Sequence, residues 1–361
     1  MTAATSVAKA LSDRIAREGP LPLDIVMAAA GEAYYARDEV IGARGDFTTA
    51  PEISQTFGEL IGLWCGVTWQ QMGSPAPFRL VECGPGRGTL MADLLRAAAR
   101  VKGFRDAARL HFVERSPALR ARQAEVLKDA VPTLAPMWHD DLADVPAGPT
   151  LLIANEFLDA LPIKQFVHAG GAWAERHVDV DDDEFVFLDR ATSPPAGAPE
   201  TCDDGTVIEY APAVDGFVQG LAARLKRDGG AALIIDYGYV GPATGNTLQA
   251  VKSHRYHGVL DDLGRADLTA HVDFGRVAGI ARAGSLHAFG PQPQGSWLAD
   301  LGLGLRVAQL TRGKTASEAA AIAAAAKRLS APDGMGLLFK VMAIAHPSLA
   351  RIEGFAQDAG P

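Results

Sequence analysis

From Arg79 onward the chain alternates short apolar runs with longer stretches in which apolar residues recur every three or four positions. Short apolar runs bounded by turn residues read as buried strands, and the recurring stretches read as amphipathic helices. Strands are predicted at 79–83, 110–114, 135–139, 150–155, 231–236, 285–289 and 337–345. Helices are predicted at 89–101, 117–130, 212–227, 272–283 and 316–329, the last in an Ala-rich run that favours helix over disorder. Strands separated by helices imply βαβ units, so the fold class is α/β, a doubly wound sheet of seven strands.

The first 78 residues read differently, as a helical N-terminal extension to a sheet domain spanning 79–361. Two short helices are expected at 6–17 and 23–34. Thr49 and Glu52 stand three apart, the spacing of a capping box, and a helix is expected to start there. Ile53, Phe57, Leu60, Ile61, Trp64 and Val67 carry it at helical spacing to about Met72. Two insertions interrupt the later alternation. At about 163–204, an alternating stretch through Arg190 predicts a β meander with an acidic turn at 181–184, followed by a Pro- and Ala-rich loop. At 241–270, a Gly-, His-, Arg- and Asp-rich segment without clear period is a candidate lid.

Composition narrows the class. The 361 residues are 48% hydrophobic and 21% charged, a globular profile, and the formal net charge of -9 disfavours a nucleic-acid partner. Three widely spaced cysteines, Cys65, Cys83 and Cys202, form no Cys-x-x-Cys pair and read as reduced thiols. No stretch reads as a signal peptide or a membrane span, so a soluble cytoplasmic protein is expected.

The strongest chemical signal is Val81-Glu-Cys-Gly-Pro-Gly-Arg-Gly-Thr-Leu90. Gly84, Gly86 and Gly88 follow a predicted strand and precede a predicted helix, so a ligand can lie directly against the backbone. The dinucleotide fingerprint needs its last glycine where Thr89 stands, which argues against a nicotinamide oxidoreductase. Glu82 would repel a pyrophosphate and suits an ammonium such as that of S-adenosylmethionine. Glu114, ending the next strand, is placed to accept from two ribose hydroxyls, and Asp140 or Asp141 from an adenine amine. The pattern leaves open which of the two aspartates does so. Glu114 has a second reading as a cap for the helix beginning near Pro117.

The segment 80–90, with Gly45-Asp-Phe-Thr-Thr-Ala-Pro-Glu-Ile-Ser-Gln55, Asn155-Glu-Phe-Leu-Asp-Ala-Leu-Pro162 and Asp267-Leu-Thr-Ala-His-Val-Asp-Phe274, resembles the MidA-type methyltransferases. The resemblance spans about 31–346. It implies a class I, Rossmann-like methyltransferase fold and S-adenosylmethionine as cofactor. For the mitochondrial branch, which assists respiratory complex I assembly, it also implies methylation of an arginine on a complex I subunit. The N-terminus lacks the Arg-rich, acid-poor character of a transit peptide, so a bacterial-type cytoplasmic member is expected.

An arginine acceptor needs carboxylates to grip the guanidinium and take its proton. Glu156 and Asp159, with Asn155 beside them just past the fourth strand, are the candidates; Asp46 and Glu52 are further acids that would face the cleft, Glu52 more simply as the capping-box acid. Helix capping or ion pairing is the competing reading of Glu156 and Asp159. His254, His257 and His271 lack partners to complete a tetrahedral set, so no metal is expected. A nucleic-acid amino-methyltransferase would carry Pro-Pro and an aromatic where this chain has Asn155-Glu-Phe-Leu. The remaining rivals are an assembly chaperone that binds the cofactor without turnover and a small-molecule methyltransferase. The insertion at 163–190 is a candidate homodimer contact.

Overall fold

Residues 150–155, Thr-Leu-Leu-Ile-Ala-Asn, are buried throughout, as expected of a central parallel strand covered on both faces. In the computed structural model, which describes residues 3–37, 48–131, 134–241 and 243–356, this is β4 of an open sheet. The others are β1 (Phe78–Cys83), β2 (Ala108–Val113), β3 (Met137–His139), β5 (Gly230–Tyr239), β6 (His287–Pro293) and β7 (Phe339–Ala345). Their order is β3-β2-β1-β4-β5-β7-β6. β1 to β5 are parallel, whereas β7 runs antiparallel to both β5 and β6. The connections reverse direction between β1 and β4, which opens a crevice beyond their carboxyl ends.

The chain divides into two compact units. One comprises Thr48–Phe157, Val218–Tyr239 and Phe274–Pro361 and holds this sheet; the other comprises Met1–Phe47, Leu158–Phe217 and Val240–Asp273. The helix α1 (Gln55–Gln71) groups with the sheet because its apolar face enters the main core through Phe57, Leu60, Ile61 and Trp64, beside α2 (Thr89–Ala98). Gly58, Gly62 and Gly66 line one stripe of α1 at four-residue spacing and let the helices meet closely. A Cβ at Gly58 would stand 2.6 Å from the Asp93 Cβ, one at Gly66 2.6 Å from the Val101 Cγ2, and one at Gly62 would collide with the Leu94 carbonyl. Beside this stripe the buried Glu59 takes a bidentate pair from Arg306, at 2.7 and 3.0 Å.

The continuous helix expected from Thr49 to Met72 is corrected to two. A single turn, Ala50–Ile53, ends at Ser54, which is extended (φ -156°) and starts α1 by accepting from Thr56 N–H at 3.3 Å. No capping box forms at Thr49, whose side chain makes no cap bond. Glu52 instead accepts from the Thr89 hydroxyl and from Arg87 Nη1 at 3.5 Å. A full capping box does occur at Thr315 and Glu318, ahead of the Ala-rich helix Ala316–Ser330.

In the other unit, the meander is present as Lys164–Ala169, Ala172–Asp181 and Glu184–Thr192, with Asp182 and Asp183 at φ 45° and 65° in the two-residue turn. Val207–Tyr210 and Leu21–Pro22 extend its sheet on either side. The segment expected as an aperiodic lid contains a second small antiparallel sheet, Arg255–His257, Gln249–Lys252 and Asp267–Thr269. Its Ala250, Leu263 and Leu268 share a core with Leu11, Val26 and Met27 of the first two helices and Val178 of the meander, so the N-terminal helices and both insertions fold around one apolar centre. Among the described residues no helix is long and apolar enough to cross a membrane.

The glycine stripe yields a test. Gly62→Ala is expected to destabilise by about 1–3 kcal/mol through overpacking. Gly279→Ala, in the helix Phe274–Ala283 where an added Cβ meets nothing within 4 Å, should be neutral or stabilising by up to about 1 kcal/mol. Urea unfolding of both variants decides, and equal stabilities would contradict the close helix contact.

Candidate active site at the carboxyl ends of β1 and β4

The loop leaving β1 carries Gly84, Gly86 and Gly88 at φ 63°, 53° and 84°, a backbone that side chains rarely allow. It is tied down by Gly84 N–H to the Val113 carbonyl (3.0 Å) and Gly88 N–H to the Pro85 carbonyl (2.8 Å). A Cβ on Gly84 would come within 2.9 Å of the Phe157 ring. The loop is therefore close-fitted, and it delivers the N-terminus of α2 to the crevice.

Glu82 is the penultimate residue of β1 with 3% of its surface exposed, and its Oε2 has no hydrogen-bond partner. Burial pushes its carboxyl up to about 8. Glu82 is in register with Ile153, two residues before Asn155, so Glu82 and Asn155 lie on one face of the sheet. Asn155 is likewise buried, with its Oδ1 unpartnered. Two orphaned buried acceptors beside a tight glycine loop are complementary to a cationic donor, and the residues present fit the amino-acid end of S-adenosylmethionine.

Glu114 follows β2. Its Oε1 accepts from Ser116 N–H at 2.8 Å and its Oε2 from Gln123 Nε2 at 3.2 Å. Burial raises its carboxyl above the usual range against these bonds. The capping role belongs to Ser116, which accepts from Leu119 N–H at 3.4 Å, so Glu114 is not the cap of Pro117–Ala130. Asp140 pairs with Arg120 at 2.5 Å, and Asp141 caps the turn Leu142–Asp144 by accepting from Ala143 N–H at 2.9 Å.

Glu156 stands directly after β4 in a left-handed conformation (φ 50°), a strain of about 1–2 kcal/mol for a residue with a side chain. Its N–H donates to the Ile235 carbonyl at 2.8 Å, and its Oε1 accepts from Ala50 N–H (2.9 Å) and Asn155 Nδ2 (3.1 Å). Asn155 and Glu156 are thus brought together. Asp159 belongs to the other unit, where its carbonyl accepts from Ala270 N–H at 3.0 Å. There, burial and the neighbouring Asp267 and Asp159 charges hold the Tyr35 hydroxyl well above its usual range while it donates to Asp267 at 2.9 Å. Asp46 lies outside the described residues. His257 sits 3.3 Å from Asp262, and among the described residues no group of three or more His, Cys, Asp or Glu gathers to hold a metal.

Sequence reasoning missed Asp236. Within β5, fully buried, it accepts from Phe157 N–H (3.2 Å) and Tyr237 N–H (2.9 Å) and so fixes the backbone just past Glu156. An acid closing an apolar run, the signal that singled out Glu82 and Glu114, was available for it too. Also missed was the pair His111 and His139, with Nδ1 and Nε2 3.0 Å apart across β2 and β3. The pair underlies Glu114, whose N–H donates to the His139 carbonyl at 3.0 Å.

An open sheet of this order with one antiparallel strand, a glycine loop after β1 and carboxylates ending β1 and β2 defines a class I methyltransferase. The chain belongs to a family of S-adenosyl-L-methionine-dependent methyltransferases whose model matches residues 60–292. Among its relatives is the protein arginine methyltransferase NDUFAF7 homolog, mitochondrial, of Drosophila melanogaster, 37% identical over 94% of this chain and 84% of that protein. Protein arginine methyltransferase NDUFAF7, mitochondrial, of Homo sapiens is 34% identical over 84% of this chain and 75% of that protein. A COG1565 superfamily member from Burkholderia thailandensis, solved bound to S-adenosyl-homocysteine, matches with a TM-score of 0.84 at 28% identity over 98% of this chain and 95% of that one. The expected fold, family and cofactor are borne out.

Burial pushes the His111 imidazole down to about 4 and lowers His139 as well. Folding therefore favours neutral His111, whose contribution is intact above about pH 6.5 and is lost as pH falls toward 4, on the order of 3 kcal/mol in total. Thermal melts of wild type and His111→Phe across this range check it. The variant should lose less stability on acidification, and parallel curves would contradict the assignment.

Proposed function

We propose that the methyl acceptor is an arginine side chain of a protein, with a respiratory complex I subunit as the first candidate, and that Asn155 and Glu156 hold it. The observation that carries this reading is the Glu156 carboxylate, fixed by two donors on a strained backbone beside the glycine loop and Phe157. Relatives 34% to 37% identical, named as protein arginine methyltransferases, support it. Asp159 is kept as a further candidate acid for the acceptor. The net charge of -9 argues against a nucleic-acid acceptor, and free cysteines suit a cytoplasmic setting.

When bound, S-adenosylmethionine supplies a methyl group on a positively charged sulfur. In this proposal the glycine loop and Glu82 receive its amino-acid end, Glu114 accepts from its ribose hydroxyls, and Asp140 or Asp141 accepts from its adenine amine. A guanidinium is protonated at neutral pH and its lone pairs are delocalised. Glu156 grips two of its N–H groups, draws positive charge away from the attacking nitrogen and takes up the proton released. The rigid seat of Glu156, between Ala50 N–H, Asn155 and the Ile235 carbonyl, orients the acceptor.

Two measurements test the reading. Glu156→Gln, assayed with radiolabelled cofactor on complex I subunits, is expected to lower turnover by about 10²–10⁴-fold while S-adenosylhomocysteine affinity stays within about threefold. Unchanged turnover would remove Glu156 from the reaction, and an absence of turnover in wild type on any protein would favour an assembly chaperone or a small-molecule acceptor. Glu82, pushed up to about 8, is protonated at pH 7 before the ammonium arrives and ionised after it. Cofactor binding at pH 7 should therefore release close to one proton, read from the dependence of calorimetric heat on buffer. The release should vanish in Glu82→Gln, and its persistence there would dissociate Glu82 from the ammonium.

A further inference from the structure

Gln123 lies in α3 (Pro117–Ala130) with none of its surface exposed. Its Nε2 donates to the Gly86 carbonyl at 2.8 Å and to Glu114 Oε2 at 3.2 Å, and its Oε1 accepts from Trp138 Nε1 at 2.8 Å. An indole N–H can only donate, so the amide oxygen must face Trp138, and the amide nitrogen is turned toward the glycine loop and the acid. The helix backbone lies against the same loop, since a Cβ on Gly88 would stand 3.4 Å from the Gln123 Cα.

We propose that Gln123 is a positioning residue that locks the middle glycine of the loop to the Glu114 carboxylate and aims that carboxylate at the two vicinal hydroxyls of the cofactor ribose. The proposal rests on the reading of Glu114 as the ribose acid. Oε1 accepts from Ser116 N–H and Oε2 from Gln123, with the Arg115 N–H also beside the carboxylate, so both oxygens are held. With both oxygens pinned the carboxylate cannot rotate, and a bidentate partner meets it preorganised. Without Gln123, Glu114 Oε2 loses this anchor and the Gly86 carbonyl loses this donor.

The test is calorimetric titration of S-adenosylhomocysteine and its 2′-deoxy analogue into wild type, Gln123→Leu and Trp138→Phe. In Gln123→Leu the affinity for S-adenosylhomocysteine should fall about tenfold or more, as expected for losing a hydrogen bond to a charged group. The affinity for the deoxy analogue should fall markedly less, because it lacks one of the hydroxyls that the misplaced carboxylate would have met. Equal losses for both ligands would show a general structural role and overturn the proposal. Trp138→Phe frees the amide to turn while keeping an aromatic ring in place, and it should show the same unequal loss in a weaker form. If Gln123→Leu does not fold, Trp138→Phe decides by the same comparison. Wild type binding both ligands equally would overturn the Glu114 reading and this proposal with it, whereas unequal binding by wild type with equal losses in the variants removes Gln123 alone.

Discussion

The proposed cofactor side rests on carboxylates that parallel strands carry into buried positions, where burial raises both Glu82 and Glu114 above the usual carboxylate range. Glu82 is the extreme case, since a fully covered sheet face leaves its Oε2 without a partner and makes the ionised form costly. Such a group is stable only if folding elsewhere offsets it, and it becomes useful when a cation arrives to share the charge. The glycine loop after it carries three left-handed glycines, with Gly84 packed against the Phe157 ring and Gly88 against Gln123, a fit that side chains at these positions would break.

The proposed acceptor side is organised by strain and anchoring. Glu156 occupies a backbone region unfavourable for its type, and its neighbours hold it there: Ile235 through its carbonyl, Ala50 and Asn155 through its carboxylate, and Asp236 through the next backbone N–H. Strained residues of this kind cluster at functional sites, because a relaxed loop would not keep a reactive group in one orientation. The short turn Ala50–Ile53 connects the two halves, with Glu156 at its first residue and Glu52 reaching Arg87 and Thr89 of the glycine loop. The block containing Thr49 and Glu52 thus bonds to Glu156 and to the glycine loop, although its spacing looks like ordinary helix capping.

Much of this was legible in the sequence. The strand 150–155 and the helix 117–130 match their predicted bounds, because a continuous apolar run and a Pro-initiated helix are local signals. The break at Ser54 was hidden because the helical spacing of Ile53, Phe57 and Leu60 runs across it, and only an extended serine marks the change. The sheet around Gln249–Lys252 was hidden because strands of three or four residues are too short to show a period. Gln123 left no local trace, since its partners lie 37, 9 and 15 residues away. Chemistry written in strand ends and glycines could be read, whereas contacts between distant segments needed the fold.

Reception of S-adenosylmethionine by the loop 84–88 is tested most directly by parallel calorimetric titration of the protein with S-adenosylmethionine and with NAD. Saturable binding of S-adenosylmethionine alone, lost in Gly86→Val, is expected. Saturable binding of NAD with no heat from S-adenosylmethionine would contradict it, and with it the roles given to Glu82 and Glu114.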